Sequence, residues 1–422
     1  MLDIKFIREN PKFVKEKSRQ KGYDVDVEKL LKVDEERRKL IEEVDQIRSS
    51  RKKAADERDE KKGQEIKLQL KSKEDKLKKL QEEYYVLIRE IPNMPTDDVP
   101  VGKDESENKP IRKWGNPKKF DFKVKDHHDL GESLSIIDTE TASKVSGSRF
   151  GYTKGELVLL EFALLQFALD LLTRETELKK IAKDNNPKPF IPVIPPVMIK
   201  PQVYDQMARL EPREERYYIE KDDLYLIGSA EHTLGPMHME QTLNEKDFPI
   251  RYVGYSTAFR RESGTYGKDT RGIFRVHQFN KLEIESFTLP EDSKKEQDFI
   301  VSIQEHLMQS LEIPYQVVMI CTGDMGGPDA RQLDIEAWFP AQNKYRETHT
   351  SDLITDYQAR RLNTKVRRKD GKTEFVHMND ATVFAGRALL AILENYQQKD
   401  GSVEIPKVLQ KYVGKTSIKP QK

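Results

Sequence analysis

From Val27 to Ile91 the chain contains no proline, and apolar or long-stemmed residues recur in steps of three and four. The first series comprises Leu30, Val33, Arg37, Leu40, Val44, Ile47, Arg51, Ala54 and Arg58. The second comprises Ile66, Leu70, Lys73, Leu77, Leu80, Tyr84, Leu87 and Ile91. This spacing is typical of a coiled-coil seam. Because the two series mirror each other about Lys62 and Gly63, they predict an antiparallel helical hairpin that reverses within residues 61–64, with arms roughly 50 Å long.

The distal half of this hairpin is basic, since residues 51–80 carry 12 basic and 7 acidic side chains. Arg51, Arg58 and Lys73 occupy seam positions that are apolar near the base. One interpretation is a solvated coiled coil held by salt bridges, without a ligand. The other is a lever that binds the phosphates of a polyanion. The seam alone leaves both interpretations open.

The composition limits the possible partners and chemistry. Lys and Arg total 74 against 73 Asp and Glu, so any contact with nucleic acid must come from a local basic patch. The single cysteine, Cys321, excludes a disulfide framework and a cysteine-rich zinc site. The N-terminus lacks an apolar signal core, and acidic residues interrupt the apolar run 157–172. We therefore expect a cytoplasmic protein with no membrane segment.

The chain changes character after the proline-rich linker 91–110. We expect an N-terminal domain over 1–105 and a second domain over 106–422. Helices are predicted over 154–184 and 383–397, and extended segments over 189–200, 217–227, 250–261, 272–287, 314–321 and 331–339. Because strand-like runs follow each other without intervening helices, the pattern predicts an α+β fold with a mostly antiparallel sheet flanked by helices.

The segment 259–283, FRRESGTYGKDTRGIFRVHQFNKLE, combines cationic, aromatic and acidic residues on one predicted hairpin. It matches neither the P-loop spacing nor GxGxxG. Strand alternation places Arg260 and Glu262 on one side of the first strand, and Phe279, Lys281 and Glu283 together on the return strand. A guanidinium suits phosphate, a ring suits a purine and a carboxylate suits an amine or a metal.

This segment resembles motif 2 of class II aminoacyl-tRNA synthetases, in the form typical of the bacterial-type, non-zinc seryl-tRNA synthetase family. FAGRALLAILENYQ, residues 384–397, resembles motif 3, with Arg387 as its arginine. FIPVIPPVMIK resembles motif 1, with Pro196 as its dimer-interface proline. The N-terminal hairpin and the segments GSAEHTLG, TGDMGGPDARQLDIEAWFP and ETHTSDLITDYQARR follow the family order. The resemblance therefore covers nearly the whole chain, and it implies a class II synthetase fold with an N-terminal coiled-coil arm.

The resemblance implies that the chain joins serine to tRNA(Ser) through a seryl-adenylate formed from ATP. It assigns catalysis to Arg260, Glu283 and Arg387. It assigns ATP binding to Arg260, Arg261, Glu262, Val276, Phe279, Glu347, Thr348, His349, Thr350 and Arg387. It assigns serine binding to Ser229, Ala230, Glu231, Glu283, Asn379 and Ala381.

The same resemblance implies that Glu347 holds Mg²⁺ through ATP and that no zinc is used. The loop from Ser263 to Arg275 would meet the tRNA acceptor end. The arm would bind the tRNA, which would span both subunits of a homodimer. No protein nucleophile is required, because the carboxylate of the amino acid attacks ATP, and catalysis then consists of positioning and charge neutralisation.

Several positions depart from the family pattern. The usual Thr-Ala-Glu-Val-Pro is here Ser229-Ala230-Glu231-His232-Thr233, and the residues after Glu347 include His349 in place of a serine and Ser351-Asp352 in place of Cys-Ser. Where the family has a serine or threonine that contacts the substrate hydroxyl, this chain has Ala381. One hypothesis is that Thr382 or His349 compensates for the missing hydroxyl. A hydrogen-bonding pocket discriminates strongly only when its groups are paired.

Three alternatives remain open at this stage. The first is a related synthetase that activates another small amino acid, and the second is a catalytically silent tRNA-binding relative. The third is a structural coiled coil. His232 and His238 could also form a metal site, but the sequence favours a packing role for these two side chains.

Overall fold

The computed structural model describes residues 1–56, 60–262 and 272–420, with side chains other than those of 53–56 and 60–62. The chain divides into two compact units, Met1–Pro95 and Thr96–Lys422, whereas the sequence predicts the boundary after residue 105. No helix in the described part of the chain combines the length and hydropathy needed to cross a membrane.

The first unit is helical. Its helices are α1 Ile4–Glu9, α2 Pro11–Gln20, α3 Val27–Asp56 and α4 Glu60–Glu90. Seam residues of α3 and α4 are buried between the two helices, among them Leu30, Val44, Leu70 and Tyr84. Ion pairs Lys29–Glu83 at 3.1 Å and Arg48–Glu74 at 2.8 Å join the helices in antiparallel order. The predicted helical hairpin is therefore confirmed.

The predicted point of reversal is wrong. Residues 61–64 lie within α4, which already begins at Glu60. The two seams are symmetric only approximately, and the residues around Gly63 are strong helix formers whose propensity outweighs the cost of about 1 kcal/mol for one glycine. The predicted seam position Arg58 lies outside the described residues. Lys73, at another polar seam position, forms an ion pair with Glu43 of α3.

A buried carboxylate fixes the base of the hairpin. Asp34 is only 1% exposed and forms ion pairs with Arg8 at 2.7 Å, Arg37 at 3.1 Å and Arg38 at 3.3 Å. Arg37 also lies 4.2 Å from the ring centroid of Tyr84. One acidic side chain thus connects α1 to α3, and the stacked guanidinium connects α3 to α4.

The second unit is built on an eight-stranded sheet. In chain order the strands of this unit are β1 Lys109–Trp114, β2 Ile137–Asp138, β3 Tyr152–Thr153, β4 Ile191–Val193, β5 Met198–Ile199, β6 Tyr218–Ile219, β7 Leu224–Leu226, β8 Thr242–Asn244, β9 Ile250–Phe259, β10 Gln278–Thr288, β11 Tyr315–Met319, β12 Arg331–Phe339, β13 Lys344–Thr355, β14 Lys365–Arg367, β15 Thr373–Phe375, β16 His377–Ala385, β17 Val403–Glu404 and β18 Ser417–Ile418. The large sheet has the order β1-β11-β12-β13-β16-β10-β9-β4. All its pairs are antiparallel except β4 with β9, so the predicted mostly antiparallel sheet is confirmed.

Helices flank this sheet, as predicted. They are α5 His127–Ser133, α6 Thr139–Ser146, α7 Glu156–Leu172, α8 Glu175–Ala182, α9 Pro201–Gln206, α10 Glu231–Leu234, α11 Ser293–Ser310, α12 Tyr357–Leu362, α13 Gly386–Asn395 and α14 Lys407–Val413. The main core joins α7, α11 and α13 to the inward side chains of the sheet, including Ile284, Ile335 and Val383. Because side chains alternate along a strand, every second residue of these strands points to the other face of the sheet, away from the core. That face is available for a polar site.

Several predicted elements need correction. The helix predicted over 154–184 is two helices that separate at Thr173 and Arg174. The segment predicted as one strand over 189–200 is split between β4 and β5, which belong to different sheets on either side of two prolines. The helix predicted from 383 begins at Gly386, after β16. Strands β13 and β16 escaped prediction because their outward residues are polar.

Candidate active site

A cleft opens on the polar face of the sheet, where β9, β10, β13 and β16 meet the start of α13. Its lining comprises Arg209, Glu231, Arg260, Glu262, Ile273, Phe274, Arg275, Val276, Phe279, Lys281, Glu283, Glu347, Thr348, Thr350, Asp352, Asp380, Thr382, Ala385, Gly386 and Arg387. Half of these positions were predicted from the sequence. The structure thus brings motif 2, motif 3 and the segment after β12 to one site.

One side of the cleft presents an aromatic ring beside a guanidinium. Arg260 follows directly on β9, and its Nε donates a hydrogen bond of 3.0 Å to the carbonyl of Gly228. The guanidinium carbon lies 5.5 Å from the ring centroid of Phe279 on β10. Nearby, the carboxylate of Glu262 lies 3.4 Å from Arg275. This arrangement offers a planar surface for a base and a fixed positive charge for phosphate.

A second guanidinium lies at the start of α13. Arg387 contacts the carboxylate of Glu347 at 3.0 Å and donates to the carbonyl of the same residue at 3.1 Å. Its guanidinium carbon lies 5.0 Å from the ring centroid of Phe274, which also stacks with Arg346 at 4.2 Å. Phe274 was not predicted as a site residue. It lies in the segment 272–287, whose pattern predicts a strand and does not single out this ring. Phe274 positions the two cations by cation–π contact.

The opposite side of the cleft is a compact polar cluster on β10 and the turn before α10. Lys281 Nζ donates to Glu283 Oε1 at 2.6 Å and to Ser229 Oγ at 2.9 Å. Ser229 donates its hydroxyl to the other oxygen of Glu283, which also accepts from the backbone N–H of Glu231 at 3.2 Å. Burial and the charge of Glu231 raise the pKa of Glu283, while Lys281 opposes the shift. These buried groups can bind a small polar ligand with a positive charge.

Arg209 forms the floor of this cluster, and it was not predicted from the sequence. Its Nε lies 3.0 Å from Glu231, and its Nη2 lies 3.0 Å from Asp329 and 3.4 Å from both Asp352 and Asp380. The backbone carbonyl of Arg209 accepts two hydrogen bonds from a further guanidinium, that of Arg216. No local motif marks Arg209, because its partners are distant in the sequence.

Three carboxyl groups lie opposite each other on neighbouring strands. Asp380 on β16 pairs in register with Glu285 on β10 and with Asp352 on β13. Both carboxyl oxygens of Glu285 are buried without a hydrogen-bond partner among the described residues. Burial, together with the surrounding carboxylates, raises the pKa of each of these three groups well above its usual range.

The same environment has the opposite effect on Glu231. Burial alone would raise the pKa of this carboxyl group, but the charge of Arg209, together with a hydrogen bond from His232, holds it well below its usual range. Glu231 is therefore ionised. Although the carboxylates of Glu231, Glu283 and Asp380 lie within 4.8 Å of one another, Arg209 and Lys281 already contact them, and we assign no metal there.

Some predicted residues do not reach the cleft. Ala381 lies in the hydrophobic core, in register with Ile284 and Ser351, and Asn379 shares its side of β16. The alternate residues Asp380 and Thr382 line the cleft instead. Thr382 pairs directly with Glu283 across the strands, so a hydroxyl is present next to the predicted serine site.

Two histidines and two other predicted residues are also withdrawn from the cleft. His349 is fully buried, its Nδ1 lies 2.8 Å from Thr348 Oγ1, and burial lowers its pKa to about 4. Burial likewise lowers the pKa of His232 to about 4, and its Nδ1 accepts from the N–H of Gly228. Ala230 is fully buried, and Arg261 donates to the carbonyl of Arg216 at 2.9 Å. Residues 263–271 of the predicted tRNA-contacting loop lie outside the described residues.

Comparisons with known proteins agree with this architecture. Residues 1–95 match the family described as seryl-tRNA synthetase N-terminal domain, and residues 215–396 match the tRNA synthetase class II core domain (G, H, P, S and T). The chain is 43% identical to a serine–tRNA ligase from Dictyoglomus thermophilum, with complete coverage of both chains. It is 42% identical to that of Pyrococcus horikoshii, covering 100% of this chain and 98% of the relative.

Solved structures show the same fold. The seryl-tRNA synthetase of Pyrococcus horikoshii complexed with ATP superposes with a TM-score of 0.90 at 41% identity, over 100% of both chains. The cytoplasmic serine–tRNA ligase of Naegleria fowleri in complex with AMP gives a TM-score of 0.88 at 34% identity, over 100% of this chain and 99% of that chain. The chain therefore belongs to the seryl-tRNA synthetase family of class II aminoacyl-tRNA synthetases.

Proposed function

We propose that this enzyme joins serine to tRNA(Ser) in two steps. Serine and ATP first give seryl-adenylate and pyrophosphate, and the seryl group then passes to the 3′ end of the tRNA. The observation that carries the proposal is one cleft with two chemically different sides. One side holds Arg260, Phe279 and Arg387, which suit a nucleotide, and the other holds Glu231 and Glu283, which suit an amino acid.

The nucleotide side provides electrostatic catalysis. The adenine of ATP would stack on Phe279, while Arg260 and Arg387 would face the phosphates and stabilise the negative charge that develops at the α-phosphate. Glu347 is 48% exposed and can offer carboxylate oxygens, which Mg²⁺ prefers, together with Thr350 on the same strand. Mg²⁺ bound there with ATP would neutralise phosphate charge.

The amino-acid side would bind serine through its ammonium and hydroxyl groups. Glu231 is ionised and would pair with the ammonium. Ser229, Lys281 and Glu283 form a connected hydrogen-bond network at this point. The Thr382 hydroxyl, opposite Glu283, would supply the group that Ala381 lacks. The carboxylate of the bound serine then attacks the α-phosphate, and pyrophosphate leaves.

The direct test is amino-acid-dependent exchange between ATP and pyrophosphate. We expect exchange with serine and little with alanine, glycine or threonine, because a hydroxyl-binding pocket penalises ligands that leave its groups unpaired. A preference for one of the other amino acids would support the related synthetase of different specificity. A folded, ATP-binding protein without exchange for any of them would indicate the catalytically silent relative.

The proposal includes a cytoplasmic homodimer in which the tRNA contacts both subunits. β4 forms one edge of the large sheet, and apolar side chains in β4 and shortly after it are exposed: Ile191 by 52%, Ile194 by 86% and Met198 by 45%. An exposed edge strand with apolar neighbours favours pairing with a second copy.

Ile194→Asp tests this surface. We expect the variant to shift from dimer to monomer in light scattering coupled to size-exclusion chromatography, because a charge at the centre of an apolar interface must be desolvated. The matched control is Val145→Asp, which is 66% exposed and lies on α6, outside the sheet edge that β4 forms. A monomeric wild type, or equal dissociation of both variants, would contradict the proposed interface.

A further inference from the structure

The floor of the amino-acid pocket depends on a single guanidinium. Arg209 contacts carboxylates that come from four parts of the fold: Glu231 from α10, Asp329 from the segment before β12, Asp352 from β13 and Asp380 from β16. All four carboxylates are buried. A planar guanidinium with five N–H groups can serve several carboxylates at once, whereas the point charge of a lysine cannot reproduce that geometry.

We propose that Arg209 is a positioning residue for the amino-acid substrate: it holds Glu231 and Asp380 in place at the floor of the cleft and so sets the affinity for the substrate ammonium group. This inference rests on the proposed function. Neither the motifs nor the resemblance assigned a role to Arg209. Asp352 and His232, two departures from the family pattern, belong to the same cluster as Arg209.

The balance of charge explains why the guanidinium is needed. Two cations, Arg209 and Lys281, face a larger number of buried carboxyl groups in this cluster: Glu231, Glu283, Glu285, Asp329, Asp352 and Asp380. Like-charged groups this close cannot all ionise. Without Arg209, Glu231 would lose its compensating positive charge, and it would become protonated or move away from the neighbouring carboxyl groups.

The charged and titratable groups around Glu231 come from several elements. His232 lies on the same helix, Lys281, Glu283 and Glu285 lie on β10, Asp352 lies on β13, Asp380 lies on β16, and Arg216 lies in the segment before β6. Only Arg209 forms a close ion pair with Glu231 from outside its own helix, among the residues that the structure describes. The ionised state of Glu231 is therefore controlled chiefly by Arg209.

The nucleotide side has separate supports. Arg260 is held by the carbonyl of Gly228, and Arg387 is held by Glu347 and Phe274. None of these contacts involves Arg209. Loss of Arg209 is thus expected to weaken serine binding and to leave ATP binding unchanged. A general loss of structure would weaken both.

The test measures ATP–pyrophosphate exchange for wild type, Arg209→Met and Arg209→Lys. Truncating a buried charge partner weakens binding severely, so we expect the KM for serine to rise by at least about 30-fold in Arg209→Met. The KM for ATP should stay within about threefold. The acid limb of the pH profile of kcat/KM for serine should move to higher pH. Removal of the cation raises the pKa of Glu231, so the ionised form of Glu231 is lost at a higher pH as the solution is acidified.

Arg209→Lys separates charge from geometry. It should restore the acid limb towards the wild-type position but leave the KM for serine elevated, since one ammonium cannot reach four carboxylates. Arg213→Met is a matched control, because this exposed arginine forms an ion pair with Glu211 at 2.9 Å outside the cleft lining, and it should leave the acid limb in place. Parallel changes in both KM values, or an unmoved acid limb in Arg209→Met, would overturn the inference.

If circular dichroism shows that Arg209→Met does not fold, a double-mutant cycle with Arg209→Lys and Glu231→Gln provides the test. The two changes should be strongly non-additive in KM for serine if Arg209 acts through Glu231, and additivity would overturn the inference. Wild-type protein without serine-dependent exchange would instead contradict the proposed function itself.

Discussion

Replacing Arg387 by alanine is expected to reduce serine-dependent ATP–pyrophosphate exchange by about a thousandfold, mainly through kcat. Arg387 lies at the start of α13, where its contacts with Glu347 and Phe274 fix the guanidinium before substrate binds. A fixed cation stabilises the charge of the transition state without reorganisation, so its loss affects the chemical step more than binding.

Arg346→Ala is the matched control for this prediction. Arg346 stacks on the same ring, Phe274, at a distance of 4.2 Å, but it does not line the cleft. Its removal should change kcat by no more than about threefold. Near-normal exchange in Arg387→Ala would show that motif 3 has been misassigned. An equal loss in both variants would instead indicate that the packing of Phe274, and not the Arg387 charge, is what matters.

Shortening the coiled-coil arm should separate the two steps of the reaction. We expect a variant in which a short flexible linker joins Val44 to Leu80 to retain exchange within about threefold and to lose tRNA charging by more than about a thousandfold. The deletion leaves the base of the hairpin intact, including Asp34 and its arginine partners. The measurement is aminoacylation of tRNA(Ser) beside exchange on the same preparation.

Charge reversal provides a milder version of this experiment. Lys67, Lys71 and Lys78 are exposed on α4, so their replacement by glutamate should leave the helix pair folded. Because phosphate contacts release counterions, these changes should weaken tRNA binding and reduce its dependence on salt. Equal loss of exchange and charging in the shortened variant would show that the arm supports the catalytic unit, and would contradict a role confined to tRNA.

The parts of the fold that were predictable are those with local periodicity. The seams of α3 and α4 repeat over many turns, so the hairpin could be read from the sequence, although its turn could not be placed. The motif 2 strands alternate clearly, and this alternation is enough to predict that Phe279, Lys281 and Glu283 share one face of β10. In both cases the spacing of residues that are close in the sequence is enough to predict the secondary structure and the face on which each side chain lies.

The floor of the site could not be predicted because its members are distant in the sequence and their orientation depends on register. Arg209 meets Asp329, Asp352 and Asp380 only after the sheet has formed. Ala381 and Thr382 are adjacent, and a shift of one residue exchanges which of them faces the cleft. The irregularity in pairing at Leu282 and Glu283, which has no sequence signature, lies where β10 meets this part of β16.

The row of Glu285, Asp380 and Asp352 also makes the pocket a store of protons. Since their pKa values are raised far above the ordinary range, the folded protein retains protons here that the unfolded chain would release as pH rises above the usual carboxyl range. An ammonium group entering the pocket competes with those protons for the same negative charge. We therefore expect protons to be released to the solvent if the serine ammonium takes their place beside this row.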